Sequence, residues 1–396
     1  MLDRMHREME EMYDQMVAWR RHFHQYPEIS YQEIETPKKI AEILTGCGIE
    51  VRNGVGQRGV VGTIIGAKPG KTVALRADFD ALPIQDEKDV PYKSRVRGAM
   101  HACGHDGHTA ALLGVAKVLS EHRDQLSGNV VLIHQHAEES LPGGAAEMIQ
   151  DGCLESVDAI FSSHLMSTLP FGVVGTKKGA FTSSADGFEV TIRGKGGHGA
   201  SPHQTVDAIV VAVQAINQLQ LIVSRQVDPM KAAVLSVGTF QAGEAPNIIA
   251  DSAIFSGTVR TFDPDTRALM EREIRRIVEG VCETLHAEAE IKYTRGYPTV
   301  MNHERETDFF LNIAVRDLGA EKALVVPPLP AADDYAYYLE KVPGMYFFTG
   351  AAMADPAANF PHHHPRFDFD ERAMLVSGKL MLSLVHDFLN KGTTIY

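Results

Sequence analysis

Cysteine is scarce. Four residues in 396, Cys47, Cys103, Cys153 and Cys282, stand far apart and lack the density and spacing of a secreted disulfide framework. A reducing cytoplasm is the expected compartment. Basic residues are also in deficit, 38 against 51 acidic for a formal charge of −13, and no dense Lys/Arg run offsets it. A polyphosphate backbone would be repelled on average, so nucleic acid is not expected as a partner. No apolar run of about 18 residues stands out. The N-terminal stretch MLDRMHREMEEMYDQM is charged and helix-patterned, unlike a signal core, so neither membrane insertion nor export is expected. Internal repeats and low-complexity tracts are lacking too.

What is present is an ordinary globular composition, 44% apolar and 22% charged, which excludes disordered and collagenous chains. The length suggests two to three domains at about 150 residues each. Met5, Met12, Met16, Trp19 and Phe23 recur at helical spacing, predicting one amphipathic helix over residues 3–25. Short apolar runs at 60–65 and 72–79, then GHTAALLGVAKVL, NVVLIHQH and AAEMIQDG, alternate strand and helix, as in an α/β layered sheet. The pattern then changes to strand, helix, strand, strand, helix, strand over 185–296, predicting a small antiparallel sheet with two helices on one face. The run VPGMYFFTG and a final helix near 371–390 return the chain to the first sheet.

The most specific local signal is MHACGHDGHTA at 100–110, where Cys103 and His105, two soft or borderline metal ligands, stand in a Gly-bearing loop before a helix. The helix N-terminus is expected to favour the thiolate. Glu138 and Glu139 follow the buried strand NVVLIHQH, at the strand end where open α/β sheets bind ligands. On an extended chain they would point opposite ways, one towards a cation and one towards a water. Asp78, Asp80, His164 and the run His362, His363, His364 supply further candidates. Taken alone, a core cysteine beside a hydrogen-bonded histidine explains the first segment equally well, and a solvated acidic turn would be the better account of an isolated Glu-Glu pair, but the run before it is too apolar for a surface. Together the donors fit a two-cation hydrolytic site suited to zinc, manganese or cobalt rather than magnesium or calcium.

The chain resembles the aminoacylase, hippurate hydrolase and auxin-conjugate hydrolase group of dinuclear metallopeptidase-like amidohydrolases. The resemblance rests on RRHFHQYPEISYQE at 20–33, LRADFDALPIQ at 75–85, MHACGHDGHTAALLG at 100–114, HAEES, GKGGHGASPH at 194–203, PNIIADSAIFSGTVRTF at 246–262, YYLEKVPG at 337–344 and HHHPRFDFDE at 362–371, in the family's order. It implies an α/β fold with a mixed-sheet α/β/α catalytic domain, residues 1–184 and 297–396. An α+β ferredoxin-like lid and dimerisation domain, 185–296, is inserted in it. Two divalent ions are implied, held by Cys103, His105, Glu139, His164 and His363, the last standing two residues before Pro365. The resemblance makes Glu138 the general base and gives Asp80 the task of orienting a ligand or the base. His198 would polarise the scissile carbonyl in a neighbouring subunit, and Asn247 and Arg260 would hold the substrate's far end. Ala331, Asp333 and Tyr335 depart from the family's Gly, Glu and Phe, and His134 and His136 replace larger aliphatic residues or proline.

The implied reaction is hydrolysis of an N-acyl amino acid, of N-acetyl or N-benzoyl type, by a homodimer or homotetramer. A dipeptidase or exopeptidase on the same scaffold is the close alternative. A Cys103–His105 nucleophile is disfavoured because residues two apart on a loop seldom face each other. A purely binding role is disfavoured by the full ligand set beside Glu138.

Overall fold

The computed structural model describes residues 1–391, which fall into two compact units. The larger holds Met1–Phe181, Val300–Pro327 and the chain from Asp334 onward; the smaller holds Thr182–Thr299 and Pro328–Asp333.

An eight-stranded mixed sheet runs through the larger unit, in the order Glu50–Val55, Gly59–Ile65, Ser127–Gln135, Lys68–Asp78, Ala159–Met166, Gly344–Gly350, Val174–Thr176, Ala323–Val325. Its middle is parallel: Lys68–Asp78 pairs with Ser127–Gln135 and Ala159–Met166, and the latter with Gly344–Gly350. Covered on both faces, these strands read as continuous apolar runs, and every residue of Gly344–Gly350 is buried. The helix His105–Glu121 lies across Lys68–Asp78 and against Ala373–Lys391. It is buried on nearly all sides, which explains its lack of a polar stripe. Because the central strands run in one direction, Asp78, Gln135 and Met166 end at the same sheet edge.

The single helix expected over 3–25 is instead two, Leu2–Glu11 and Tyr13–Gln25, broken at Met12. The first packs on Ala373–Lys391 and the second on His105–Glu121. Met9 takes a buried place where Met12 was expected. The helix Glu304–Leu318, with Phe309, Phe310 and Ile313 buried, had no counterpart in the sequence reading.

In the smaller unit four antiparallel strands stand in the order Ala233–Ala242, Ser252–Thr261, Asp186–Arg193, Glu288–Arg295. The helices Ala208–Arg225 and Pro264–Thr284 pack together and on this sheet, in the expected strand and helix sequence. Asp207 and Asp263 cap them, accepting from Ile209 N–H and Thr266 N–H respectively. Ala208–Arg225 is, against expectation, long and apolar enough by composition to cross a membrane. Its Ala208, Val211, Ala215, Leu219 and Ile222 are buried in the core of this unit.

Candidate functional site

The loops following the parallel strands converge at one edge of the large sheet. Gly104, with φ +98°, turns the chain sharply between Cys103 and the start of the His105–Glu121 helix. His105 Nδ1 lies 3.0 Å from the Asp80 carbonyl and 3.1 Å from its Oδ1, so this nitrogen carries the proton. Nε2 is left facing Glu139 Oε1 at 3.8 Å and Glu138 Oε2 at 4.0 Å, where either a proton or a cation would be held between ring and carboxylates. His164 Nδ1 likewise donates to the Leu165 carbonyl at 2.9 Å, leaving Nε2 at 3.4 Å from Cys103 Sγ. His363 Nε2 stands 3.3 Å from Glu139 Oε1. Cys103, His105 and Glu139 bring donor atoms within 4.8 Å of one another, and so do Cys103, His164 and His362.

The five residues expected as ligands are therefore gathered in one place, with His362 as an additional neighbour. His108 also lies close to Asp78 and His105, but both its nitrogens are committed. Nδ1 is 2.6 Å from Asp78 Oδ1, and Nε2 accepts from Leu165 N–H at 2.8 Å. Its tautomer is fixed and no lone pair remains for a cation.

One expectation needs correction. Glu138 and Glu139 do not point opposite ways, because the strand has already ended at Gln135 and Ala137 adopts φ +50°. The turn brings both carboxylates towards His105.

The electrostatics call for positive charge. Burial pulls the His105 imidazole down, yet Asp78, Asp80 and Glu139 outweigh it and raise its pKa to about 10. Burial and the charges of Glu139, Glu138 and Asp78 push the Cys103 thiol well up, contrary to the thiolate expected from the helix terminus alone. Glu139 Oε1 is buried without a hydrogen bond among the described residues. Lone pairs of nitrogen, sulfur and carboxylate oxygen aimed at one another repel unless a cation lies among them, so this donor set fits divalent metal.

Around the cluster stands a layer that the sequence reading mostly left without roles. Asp80, the exception, accepts from Ser30 Oγ–H at 2.7 Å and Glu139 N–H at 3.0 Å as well as from His105. Such carboxylate–histidine pairs orient a ligand and raise its basicity. Arg76 is buried between Asp78 at 2.6 Å and Asp334 at 3.0 Å. Arg20 donates to Asp106 and Asp368, both at 2.8 Å, and His24 reaches Asp106 at 2.7 Å. The motif at 20–33 carried these residues, but nothing in it names their distant partners. His134 and His136 are buried, the first 3.3 Å from Thr109 Oγ1 and the second 3.5 Å from Glu147. Tyr335 is buried, its hydroxyl donating to the Met345 carbonyl at 3.2 Å.

The remaining candidates belong to the smaller unit. His198 is exposed on a two-residue strand, Gly197–His198, whose register sets it opposite Ile248. Asn247 is adjacent, its carbonyl accepting Gly199 N–H at 2.9 Å. Arg260 lies on Ser252–Thr261, with its guanidinium on Thr258 Oγ1 and the Val259 carbonyl.

Residues 74–387 match the model of Peptidase family M20/M25/M40. The Bacillus subtilis protein YhaA is 50% identical over 375 residues, 95% of each chain. The N-acyl-L-amino acid amidohydrolase of Geobacillus stearothermophilus is 45% identical over 296 residues, 75% of this chain and 80% of the relative. The crystal structure of Bacillus subtilis YXEP, described as a dinuclear metal binding peptidase from the M20 family, superposes with a TM-score of 0.84 at 36% identity, covering 96% of this chain and 99% of that one. The chain belongs to Peptidase family M20/M25/M40 and is a hydrolase of amide bonds.

Proposed function

We propose that the protein hydrolyses N-acyl amino acids, of N-acetyl or N-benzoyl type, to a carboxylic acid and a free amino acid. The observation that carries this reading is the convergence of Cys103, His105, Glu139, His164 and His363 around unsatisfied lone pairs, with Glu138 beside them. Those five residues would hold two divalent ions, zinc, manganese or cobalt by donor softness. When bound, such ions supply a Lewis acid that acidifies water and polarises a carbonyl.

The chain's own residues do the rest. Glu138 takes a proton from the attacking water as its oxygen bonds to the carbonyl carbon, then delivers a proton to the nitrogen as the C–N bond breaks. His198, reaching in from a second copy of the chain, donates a hydrogen bond to the developing oxyanion. Arg260 and Asn247 bind the substrate's carboxylate, for which a guanidinium offers a matched pair of donors. Segment 185–296 serves as lid and dimerisation domain of a cytoplasmic homodimer or homotetramer.

The test is release of free amino acid, detected with ninhydrin, from a panel of N-acetyl and N-benzoyl amino acids. It is run with chelator and after restoring Mn, Co or Zn. Metal-dependent release is expected. Release from unblocked dipeptides alone would overturn the reading in favour of an exopeptidase.

A further inference from the structure

Glu33 has no part in the reaction as described, yet its side chain is fully buried and bonded to the segment that carries Glu138. Glu33 Oε1 accepts the backbone N–H of Ala137 at 2.9 Å. Ala137 is the residue before Glu138 and sits at φ +50°, a left-handed conformation disfavoured for any residue with a Cβ. On the far side of the pair, Asp80 accepts Glu139 N–H at 3.0 Å. The turn is thus held by one buried carboxylate in front and one behind. Glu33 is itself anchored. Arg58 Nη1 donates to its carbonyl at 2.7 Å, and the Glu28 carboxylate fixes the following residues by accepting Ile34 N–H and Thr36 N–H at 3.0 and 2.7 Å.

We propose that Glu33 is a positioning residue for the Glu138 carboxylate: by gripping Ala137 N–H it keeps that residue left-handed and so aims the side chain that follows. The inference rests on Glu138 being the general base. Ordinary backbone relaxation at Ala137 would swing the next side chain away, and misplacing a reacting group by about 1 Å can cost up to ~100-fold in rate. Burial, reinforced by the nearby Asp80 charge, raises the Glu33 carboxyl to about 8. Glutamine, uncharged and with an acceptor oxygen at the same reach, is therefore a close copy.

The experiment compares the full-length, metal-loaded enzyme with Glu33→Ala, Glu33→Gln, Glu33→Ala/Ala137→Gly and Glu138→Gln. It records kcat, KM, bound metal by mass spectrometry and the circular dichroism of each. Glu33→Ala is expected to lower kcat by about 10- to 100-fold with KM changed less than about threefold and metal retained. Glu33→Gln is expected to keep turnover within about threefold of the parent enzyme, since it retains the acceptor. Adding Ala137→Gly to Glu33→Ala is expected to restore about tenfold, because glycine adopts the left-handed conformation without support. A general structural role would predict no rescue by glycine, which restores neither the lost volume nor the lost hydrogen bond. Unchanged kcat in Glu33→Ala, with Glu138→Gln inactive, overturns the proposal and leaves the general base standing. Near-normal turnover in Glu138→Gln overturns the reading beneath it. Should Glu33→Ala lose metal or structure, the remaining variants decide: failure of Glu33→Gln and no rescue by glycine overturn the positioning role.

Discussion

The two units treat buried polarity in opposite ways. In the smaller one, Asp186 is buried and saturated: Arg267 donates from Nη2 at 2.6 Å and Nε at 3.0 Å, Tyr293 hydroxyl at 2.9 Å and Gly296 N–H at 3.1 Å. In the larger one, similar saturated networks around Arg20 and Arg76 enclose groups that are not saturated. Of the buried side-chain polar atoms without a hydrogen bond among the described residues, only Thr182 Oγ1 lies in the smaller unit. The others, among them atoms of Glu33, His101, His136, Glu139 and His362, lie in the larger. A saturated buried carboxylate organises a fold, whereas unsaturated ones collected at a strand end are poised for a ligand or a reaction. Substitution in each unit should therefore change different observables.

The largest effect is expected at Glu138. Replacement by glutamine keeps the shape and removes the proton acceptor, and loss of a general base typically costs about 100- to 10,000-fold. Turnover should fall on that scale while mass spectrometry finds the metal content unchanged. Loss of metal in Glu138→Gln would move Glu138 from base to ligand and blur the distinction between saturated and poised carboxylates.

A paired comparison of two buried aspartates comes next. Asp80→Ala removes the acceptor that orients His105 and is expected to weaken metal binding by about 10- to 100-fold, read by competition with a chromogenic chelator. Asp186→Ala removes the carboxylate that holds Arg267. It is expected to cost about 3 kcal/mol in urea unfolding, the scale for breaking a buried ion pair, with metal affinity unchanged. If Asp186→Ala weakened metal binding as much as Asp80→Ala, the chemical separation of the units would fail.

These residues also mark how far the sequence can be read. Cys103, His105 and the strand before Glu138 were legible because their chemistry lies in a short segment with a clear period. The smaller unit was legible because its alternation is undisturbed: Asp186–Arg193 buries every second residue. Why His105 and not His108 is free to face a cation is not visible in the sequence. What distinguishes them is that Asp78 and Leu165 claim both nitrogens of His108, and those partners are 30 and 57 residues away. The direction of Glu138 was misjudged for a related reason, since no local residue type announces a left-handed alanine. Its support comes from Glu33, 104 positions earlier. Composition and period describe what each segment buries, but a site assembled from distant hydrogen bonds becomes visible only in three dimensions.

Glu33 supplies the smallest expected effect, and one that separates the units by pH. Its folded pKa, about 8, lies above the ordinary carboxyl value of 4.5 because burial, with the Asp80 charge, disfavours the ionised form. The sign follows from proton binding: between these two values the folded chain holds a proton that the unfolded chain has released. The contribution of this group is fully present below pH 4.5 and is lost as pH rises through 8. The slope is about 1 kcal/mol per pH unit in that window. In Glu33→Gln the slope from this residue vanishes, so the stability of the parent enzyme should decline relative to the variant between pH 6 and 8. Urea midpoints followed across that range measure the difference, with metal content held equal. Parallel curves would show that Glu33 is already ionised in the folded chain, and the larger unit would then carry one fewer frustrated carboxyl than its burial implies.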